Sequence, residues 1–522
     1  MSASAAPATA PVGARTTLAF FAMVLGMFMA VLDIQIVSAS IADIQAGLGA
    51  SADEASWVQT SYLIAEIVMI PLSGFLSRML STRGLFVISA IGFTIFSFAC
   101  SLATSLSMMI AFRAAQGFLG GAMIPTVFAA SFLLFPGAAR VRATVIIGLT
   151  ATLAPTLGPT LGGMLTAAFS WHALFLINVP VGIFIAVTVW LTLDLDRPDL
   201  TLFSRFDWFG LGLLALFLGS LDYVLEEGAR WQWLQDDTVA TFAAIAAVSG
   251  ALFFWRSLTN PHPVVDLRAF TDRNFAIGSM FGFILGVALY GSVYLVPLFL
   301  GSVRGYDALQ IGQTMFVTGA VMFVASPVVG MLSRRVDARW LVALGLAITG
   351  IAMLLTARLT NQSALPQLWF PLGLRGLGIM LVMVPVTTLA MGTLPPPAIK
   401  NAAGLFNLMR NFGGAFGLAL INTMVIDRGA AHRLHLAEGM TTGRNEAVAM
   451  LAHMQDGMAT HVLNGVDPDL VALRRLAMMV TREGNVLAYN DALLMMAAFF
   501  AAALPLVLLM RAPRGPGGAP AH

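Results

Sequence analysis

Runs of about 20 mostly apolar residues, enough for a helix to cross the hydrocarbon core of a bilayer, recur along this whole chain. They lie near 17–38, 57–77, 84–104, 108–135, 143–167, 172–193, 207–225, 238–256, 275–300, 309–333, 340–357, 367–392, 402–426 and 490–510. Few folds suit such a pattern, because in lipid every backbone donor and acceptor must be satisfied internally. The runs are continuous rather than alternating, which favours helices over a barrel. Hydrophobic types form 58% of the 522 residues and charged types 10%, against about 25% charged in soluble domains. That excludes a soluble enzyme, a disordered scaffold and a nucleic-acid-binding domain. The net charge of +2 implies no polybasic or polyacidic partner. No phosphate-binding loop is evident and no enzyme is expected. The single cysteine, Cys100, excludes a disulfide framework and a cysteine zinc site. No cleavable signal peptide is evident; the first 16 residues are small and polar, and the first apolar run is long enough to stay as a span.

The basic residues assign an orientation. With a cytoplasmic N-terminus, sixteen of the 28 fall in inner segments, from Arg15 through Arg78, Arg83, Arg140 and Lys400 to Arg511 and Arg514. Short outer loops hold only Arg230, Arg304 and Arg358. The last outer loop is too long for the rule, and three arginines lie inside spans. This bias places both termini in the cytoplasm and agrees with an even span count. All nine tryptophans lie near expected span ends, as an interfacial aromatic belt requires.

Residues 71–84, PLSGFLSRMLSTRG, are echoed by 327–340, PVVGMLSRRVDARW. Pro71/Pro327, Gly74/Gly330, Ser77/Ser333, Arg78/Arg334 and Arg83/Arg339 share an offset of 256. The expected fold is therefore an all-α integral membrane protein of fourteen spans. Two related six-helix halves, 17–195 and 274–510, flank an inserted helix pair at 206–257, with tails at 1–16 and 511–522. Parallel repeats of this kind are a transporter architecture, with substrate bound at mid-depth between the halves.

Ionisable side chains inside spans cost about 2.5–3.5 kcal/mol at the bilayer centre and call for a reason. Asp33, Glu66, Arg113, Arg375 and Arg410 lie within apolar stretches, and Asp222 lies towards the outer end of the seventh. One reading is a proton- and substrate-binding constellation facing a central cavity, because a carboxylate beside an arginine stays ionised until its partner moves. The alternative is static ion pairing or snorkelling to the headgroups. In the fifth span, ATLAPTLGPTLGGML holds Pro155, Gly158, Pro159, Gly162 and Gly163. Pro159 removes a helix hydrogen bond and the glycines allow close helix approach, which points to a hinge or seal. The alternative is ordinary small-residue packing.

These segments resemble the major facilitator superfamily, and within it the fourteen-span drug/proton antiporters of the EmrB/QacA type, closest to EmrB. LDIQIVSASI at 32–41 is similar to the span-1 signature LDxTIVNVALP, RAAQGFLGGAMIP at 113–125 to RxxQGxgxg, and APTLGPTLGGML at 154–165 to the antiporter signature gpxxGPxxGG. FLINVPVG at 175–182, NPHPVVDLRAFTDRNF at 260–275 and the Asn407–Arg410 pair resemble the EmrB branch. The resemblance implies a proton-coupled multidrug exporter in a bacterial inner membrane. It would use the proton-motive force and no cofactor, and would work with a periplasmic membrane-fusion adaptor and an outer-membrane channel. It implies a proton- or substrate-responsive role for Asp33 with Arg113 as its buried partner, a cavity lined by Gln116, and a hinge or seal over Pro155, Gly158, Pro159, Gly162 and Gly163. With the charges found within spans, the expected proton-coupling set is Asp33, Glu66 and Arg113, and the expected substrate cavity includes Gln35, Gln116, Arg375, Asn407 and Arg410. The span-2 loop departs from the family pattern GxxxDRxGRR: Arg78 stands at the acidic position and Ser81 at the glycine. The usual charge pairing on the cytoplasmic side therefore cannot form in its standard way.

Hydrophobic or amphipathic compounds are the expected substrates, and the intramembrane arginines would also tolerate weak acids. A dedicated exporter of a metabolite, siderophore or fatty acid, and a non-transporting receptor or assembly platform, are the alternatives. The outer loop 427–488 carries Leu470, Leu473, Leu476 and Val480 at helical spacing and could dock the adaptor or form a lid. Its histidines, His432, His435, His453 and His461, lack a cluster of acidic or cysteine ligands in sequence and read as solvated rather than metal-binding.

Overall fold

The computed structural model describes residues 13–510 apart from Ser56, Pro136, Arg334, 441–444 and 460–467. Residues 1–12 of the first tail, the whole of the second, Arg334 of the repeat and His461 thus lie outside the described residues. No β-strand occurs among those described.

Long helices occupy every position where the sequence places a span. In the first half they are α1 Ala14–Ala39, α2 Trp57–Met79, α3 Thr82–Ser101, α4 Leu106–Leu134, α5 Gly137–Ala168 and α6 Asn178–Thr192. The inserted pair is α7 Trp208–Glu227 and α8 Asp237–Thr259. The second half holds α9 Arg273–Ser302, α10 Ala308–Leu332, α11 Ala338–Thr356, α12 Leu365–Gly392, α13 Pro396–Glu438 and α14 Pro468–Ala503. Among the described residues, 12 helices are long and apolar enough to cross a membrane. The other two long helices, α5 and α13, stand where the fifth and thirteenth spans are expected.

Helix starts follow local chemistry. Asp207, Asp236, Asp272, Asp307 and Asp337 each cap a helix by accepting from backbone N–H groups of the first turn, which satisfies donors that lack intrahelical partners. Six tryptophans at helix ends, such as Trp190, Trp208 and Trp340, are exposed, as a headgroup-level belt requires. The sequence repeat is also structural. Ser77 donates to Gly74 O at 3.2 Å and Ser333 donates to Gly330 O at 3.0 Å.

Within the first half α1 packs on α5 and α6, and α2 on α4; within the second α9 packs on α13, and α12 on α10 and α11. Two long contacts join the halves, α2 with α13 and α5 with α10. The inserted helix α7 leans on α8, and also on α2 of one half and α13 of the other. Beyond the span, α13 continues as helix to Glu438 and α14 begins at Pro468, with a further helix Asn445–Ala459 packed on α14. The 427–488 segment is thus a helical hairpin growing out of the bundle where it is described, and it leaves Leu434, Leu470 and Leu473 exposed.

Candidate functional site

Arg113 is fully buried on α4, and four groups surround its guanidinium. Its Nη1 donates to Asp33 Oδ2 at 2.5 Å and to Gln116 Oε1 at 2.8 Å. Its Nε donates to Val58 O at 3.1 Å, and the cation lies 4.2 Å from the centre of the Tyr62 ring. Asp33 Oδ1 accepts from Asn178 at 2.7 Å and Gln116 at 3.2 Å. Asn178 also donates to Ser97 Oγ at 3.0 Å, and Ser97 donates to Phe175 O at 2.9 Å. Five helices of the first half therefore meet at one ion pair. Gly117 makes this possible, because a Cβ there would stand 2.2 Å from Tyr62 O. Only a glycine lets α4 approach α2 closely enough to set Arg113 over Tyr62. Such a pair survives desolvation only when its remaining polar atoms are also bonded, and the two amides supply most of that. Cys100 is buried beside it, 3.7 Å from Gln116 Oε1.

The expected coupling and cavity residues do not all meet in one place. Between the halves lies a cavity of about 130 Å³ whose wall includes Gln35, Glu66, Tyr290 and Asn411. Asp33, Arg113 and Gln116 are not part of its lining; they form the network behind it. Glu66 lies within electrostatic reach of Arg410, Arg113 and Asp33 and so stands between the two. Arg410 stacks over Phe128 of the opposite half at 5.1 Å, and its Nε and Nη1 have no hydrogen-bond partner among the described residues. Arg375 donates to Ser292 O at 2.6 Å and to Thr318 Oγ1 at 2.8 Å, so two of its nitrogens serve the junction of α9, α10 and α12. Asn407 donates to Ala403 O within its own helix.

Asn178, Glu226 and Tyr290, not singled out from sequence, complete the picture, together with Asp222, which the sequence places close to the outer surface. Asn178 is the second anchor of Asp33, and its signal lay in FLINVPVG. Asp222 is buried against the cavity rather than turned to the surface. Glu226 shares that wall and accepts from Thr60. The pair sits four residues apart on α7, one helical turn on a common face, so the spacing in LDYVLEE was the available signal. Tyr290 reaches the cavity from a π-helical turn, Val287–Gly291, within α9; such turns are frequent at functional sites. Sequence shows no sign of it.

On α5, Gly158 and Gly162 face α1. A Cβ on Gly158 would stand 2.2 Å from Gln35 Cβ, and one on Gly162 would stand 2.8 Å from Ile36 O. The helix is unbroken over Gly137–Ala168, and the side chains of Pro155 and Pro159 lie outside the described set. Gly163 is half-buried.

The arginine-rich end is closed. Lys400, at the start of α13, donates to Ser77 O at 2.9 Å and pairs with Asp196. Asp196 in turn accepts from Thr82 N at 3.0 Å. Gly74 admits the Asn401 backbone, where a Cβ would approach to 2.8 Å. An ion pair between Asp196 of the first half and Lys400 of the second thus joins the halves at this end, where Arg78 stands in place of the span-2 acid. In the outer hairpin His432 pairs with Asp491 at 2.8 Å. No group of three or more metal-ligating side chains placed to hold an ion occurs among the described residues.

Two six-helix halves enclosing an apolar cavity that carries carboxylates and amides on its wall, sealed at one end and backed by a buried ion pair, define a multi-pass membrane transporter. A family model described as Major Facilitator Superfamily matches residues 23–418. The colistin resistance protein EmrB of Acinetobacter baumannii is 44% identical over 429 residues, 82% of this chain and 84% of that one. The multidrug export protein EmrB of Escherichia coli is 31% identical over 515 residues, 97% of each. The fatty acid resistance protein FarB of Neisseria gonorrhoeae is 28% identical over 95% of this chain and 96% of its own. The solved proton:xylose symporter XylE shares the fold at a TM-score of 0.57 and 14% identity, covering 95% of this chain and 97% of XylE. The chain belongs to the Major Facilitator Superfamily, in its EmrB-type branch. It is a transporter rather than an enzyme.

Proposed function

We propose that the chain is a proton-driven exporter of hydrophobic or amphipathic compounds working by alternating access. The observation that carries this reading is Glu66, a buried carboxylate on the cavity wall with Arg410 of one half and the Asp33–Arg113 pair of the other within electrostatic reach. A carboxylate so placed responds to any change in the relation of the halves, because its charged form depends on which cations remain near it. Inward proton flow supplies about 2.3 kcal/mol per charge per 100 mV. Glu66 takes the proton from the outer side and releases it inward. Asp33 and Arg113 transmit that change to α1, α4 and α6. The substrate occupies the cavity in the deprotonated state, and the close α1–α5 seam around Gly158 and Gly162 accommodates the rocking of the halves.

The relatives named for drug, colistin and fatty acid resistance support export of amphipathic molecules. The basic-residue bias supports cytoplasmic termini in a bacterial inner membrane. The helical hairpin at 427–488, with its exposed leucines, suits docking of a periplasmic adaptor in a tripartite pump. Proton release from everted vesicles on substrate addition tests the reading. Release is expected from the parent and not from Glu66→Gln. Its absence from the parent with every compound tested, or parent-like release from both Glu66→Gln and Asp33→Asn, overturns it.

A further inference from the structure

We propose that the cavity is an organic-cation site and that the inserted helix α7 supplies two of its three carboxylates. The wall carries Glu66 from α2, and Asp222 and Glu226 from α7, with no lysine or arginine among its described lining residues. Arg410 lies near enough to Glu66 and Tyr290 to offset one negative charge, which leaves Asp222 and Glu226 without a cation of their own. Asp222 is 5% exposed, and its Oδ2 has no hydrogen-bond partner among the described residues. A buried, unpartnered carboxylate oxygen is costly unless something else fills the site. A static structural role leaves that oxygen unexplained, whereas a positively charged occupant satisfies it.

The carboxylates do not converge as ligands of a bare metal ion, since no such group occurs among the described residues. They are spread over two helices with apolar surface between them, including Ile34, Leu63, Ile67 and Leu418. That is the chemistry for an ammonium, phosphonium or guanidinium head group carrying apolar substituents. Aromatic Tyr290 and the amides of Gln35, Gln59 and Asn411 complete a wall able to take a cation's face and edge. The position of α7 follows from its packing against α2 and α13 at once. Through that packing the inserted pair becomes part of the transport site rather than a peripheral addition.

The proposal rests on the exporter reading and names its substrate class. The test uses the full chain in lipid nanodiscs and measures equilibrium binding of tetraphenylphosphonium, which has no proton to lose, beside its neutral counterpart triphenylphosphine oxide. The D222N/E226Q variant is expected to bind tetraphenylphosphonium at least tenfold more weakly and the neutral compound as the parent does. Glu227→Gln, which removes a neighbouring charge bonded to Trp231 outside the cavity, is expected to bind both as the parent does. The single variants D222N and E226Q are read alongside, and they decide if the double variant does not fold. Parent-like tetraphenylphosphonium affinity in these variants, or no binding by the parent, overturns the cation site. If proton-coupled efflux of neutral compounds persists in that event, the exporter reading stands without it. Carboxylate-dependent binding without any substrate-driven proton release upholds the site and removes the exporter reading.

Discussion

Asp33 fixes both its carboxylate oxygens on neighbours from α4 and α6, and this sets what its substitution does. In Asp33→Asn the fully buried Arg113 keeps its charge and loses its counter-ion. Breaking a buried pair from one side costs about 3–5 kcal/mol, so thermal unfolding in detergent should show a loss of that order. Arg113→Gln in the Asp33→Asn background should recover part of it, because no uncompensated charge remains. Ser81 is a second residue at odds with its position. It holds φ at 69° and ψ at 159°, a region essentially reserved for glycine, and its hydroxyl accepts from Gly84 N at 3.1 Å as the cap of α3. The cap survives replacement by glycine at a loss of a few tenths of a kcal/mol, while the strain is worth about 1–3 kcal/mol. Ser81→Gly is therefore expected to stabilise the protein by about 1 kcal/mol, read as a rise in Tm.

Pairs of helices, rather than single residues, set how closely the spans approach. Gly162 brings α5 to within van der Waals contact of the α1 backbone at Ile36. Gly162→Val is expected to force the helices apart at a cost of about 1–3 kcal/mol, the usual penalty of overpacking. Substrate efflux from vesicles should fall more than stability does, because α1 also carries Asp33 and Gln35. The spacing of glycines in the α5 segment was legible in the sequence, since only small residues allow such contact. The π turn in α9 was not. Arg375 of α12 holds Ser292 O, the first carbonyl after that turn, a contact between residues far apart in the chain that leaves no local pattern.

For the whole molecule, the closed end depends on Lys400 joining α13 to Asp196 and Ser77 of the other half. Lys400→Met removes this bridge and should shift the population toward opening at that end by about tenfold, ~1.4 kcal/mol. Spin labels at Leu200 and Trp340, both exposed, report it. The distance distribution between them should gain a longer component, and a distribution identical to the parent's would refute the latch. The chain's only lysine is visible in the sequence, but as one more cytoplasmic charge. Its partner Asp196 can be identified only once the two halves are placed together.

The sequence by itself determined that the chain is a helical membrane protein built from two related halves, and it placed Asp33, Glu66, Arg113, Arg375 and Arg410 within apolar spans. Apolar runs long enough to span a bilayer leave no other backbone solution, and a charge within such a run is conspicuous. Tertiary structure decided which way each charge points. A span that is apolar on nearly every side carries no stripe from which a facing direction can be read. Sequence therefore assigned Gln116 and Arg375 to the cavity; packing ties both into bonded networks, and Asp222 and Glu226 lie on its wall. The physical reason is that depth follows from position along one helix, whereas facing depends on the helices packed around it.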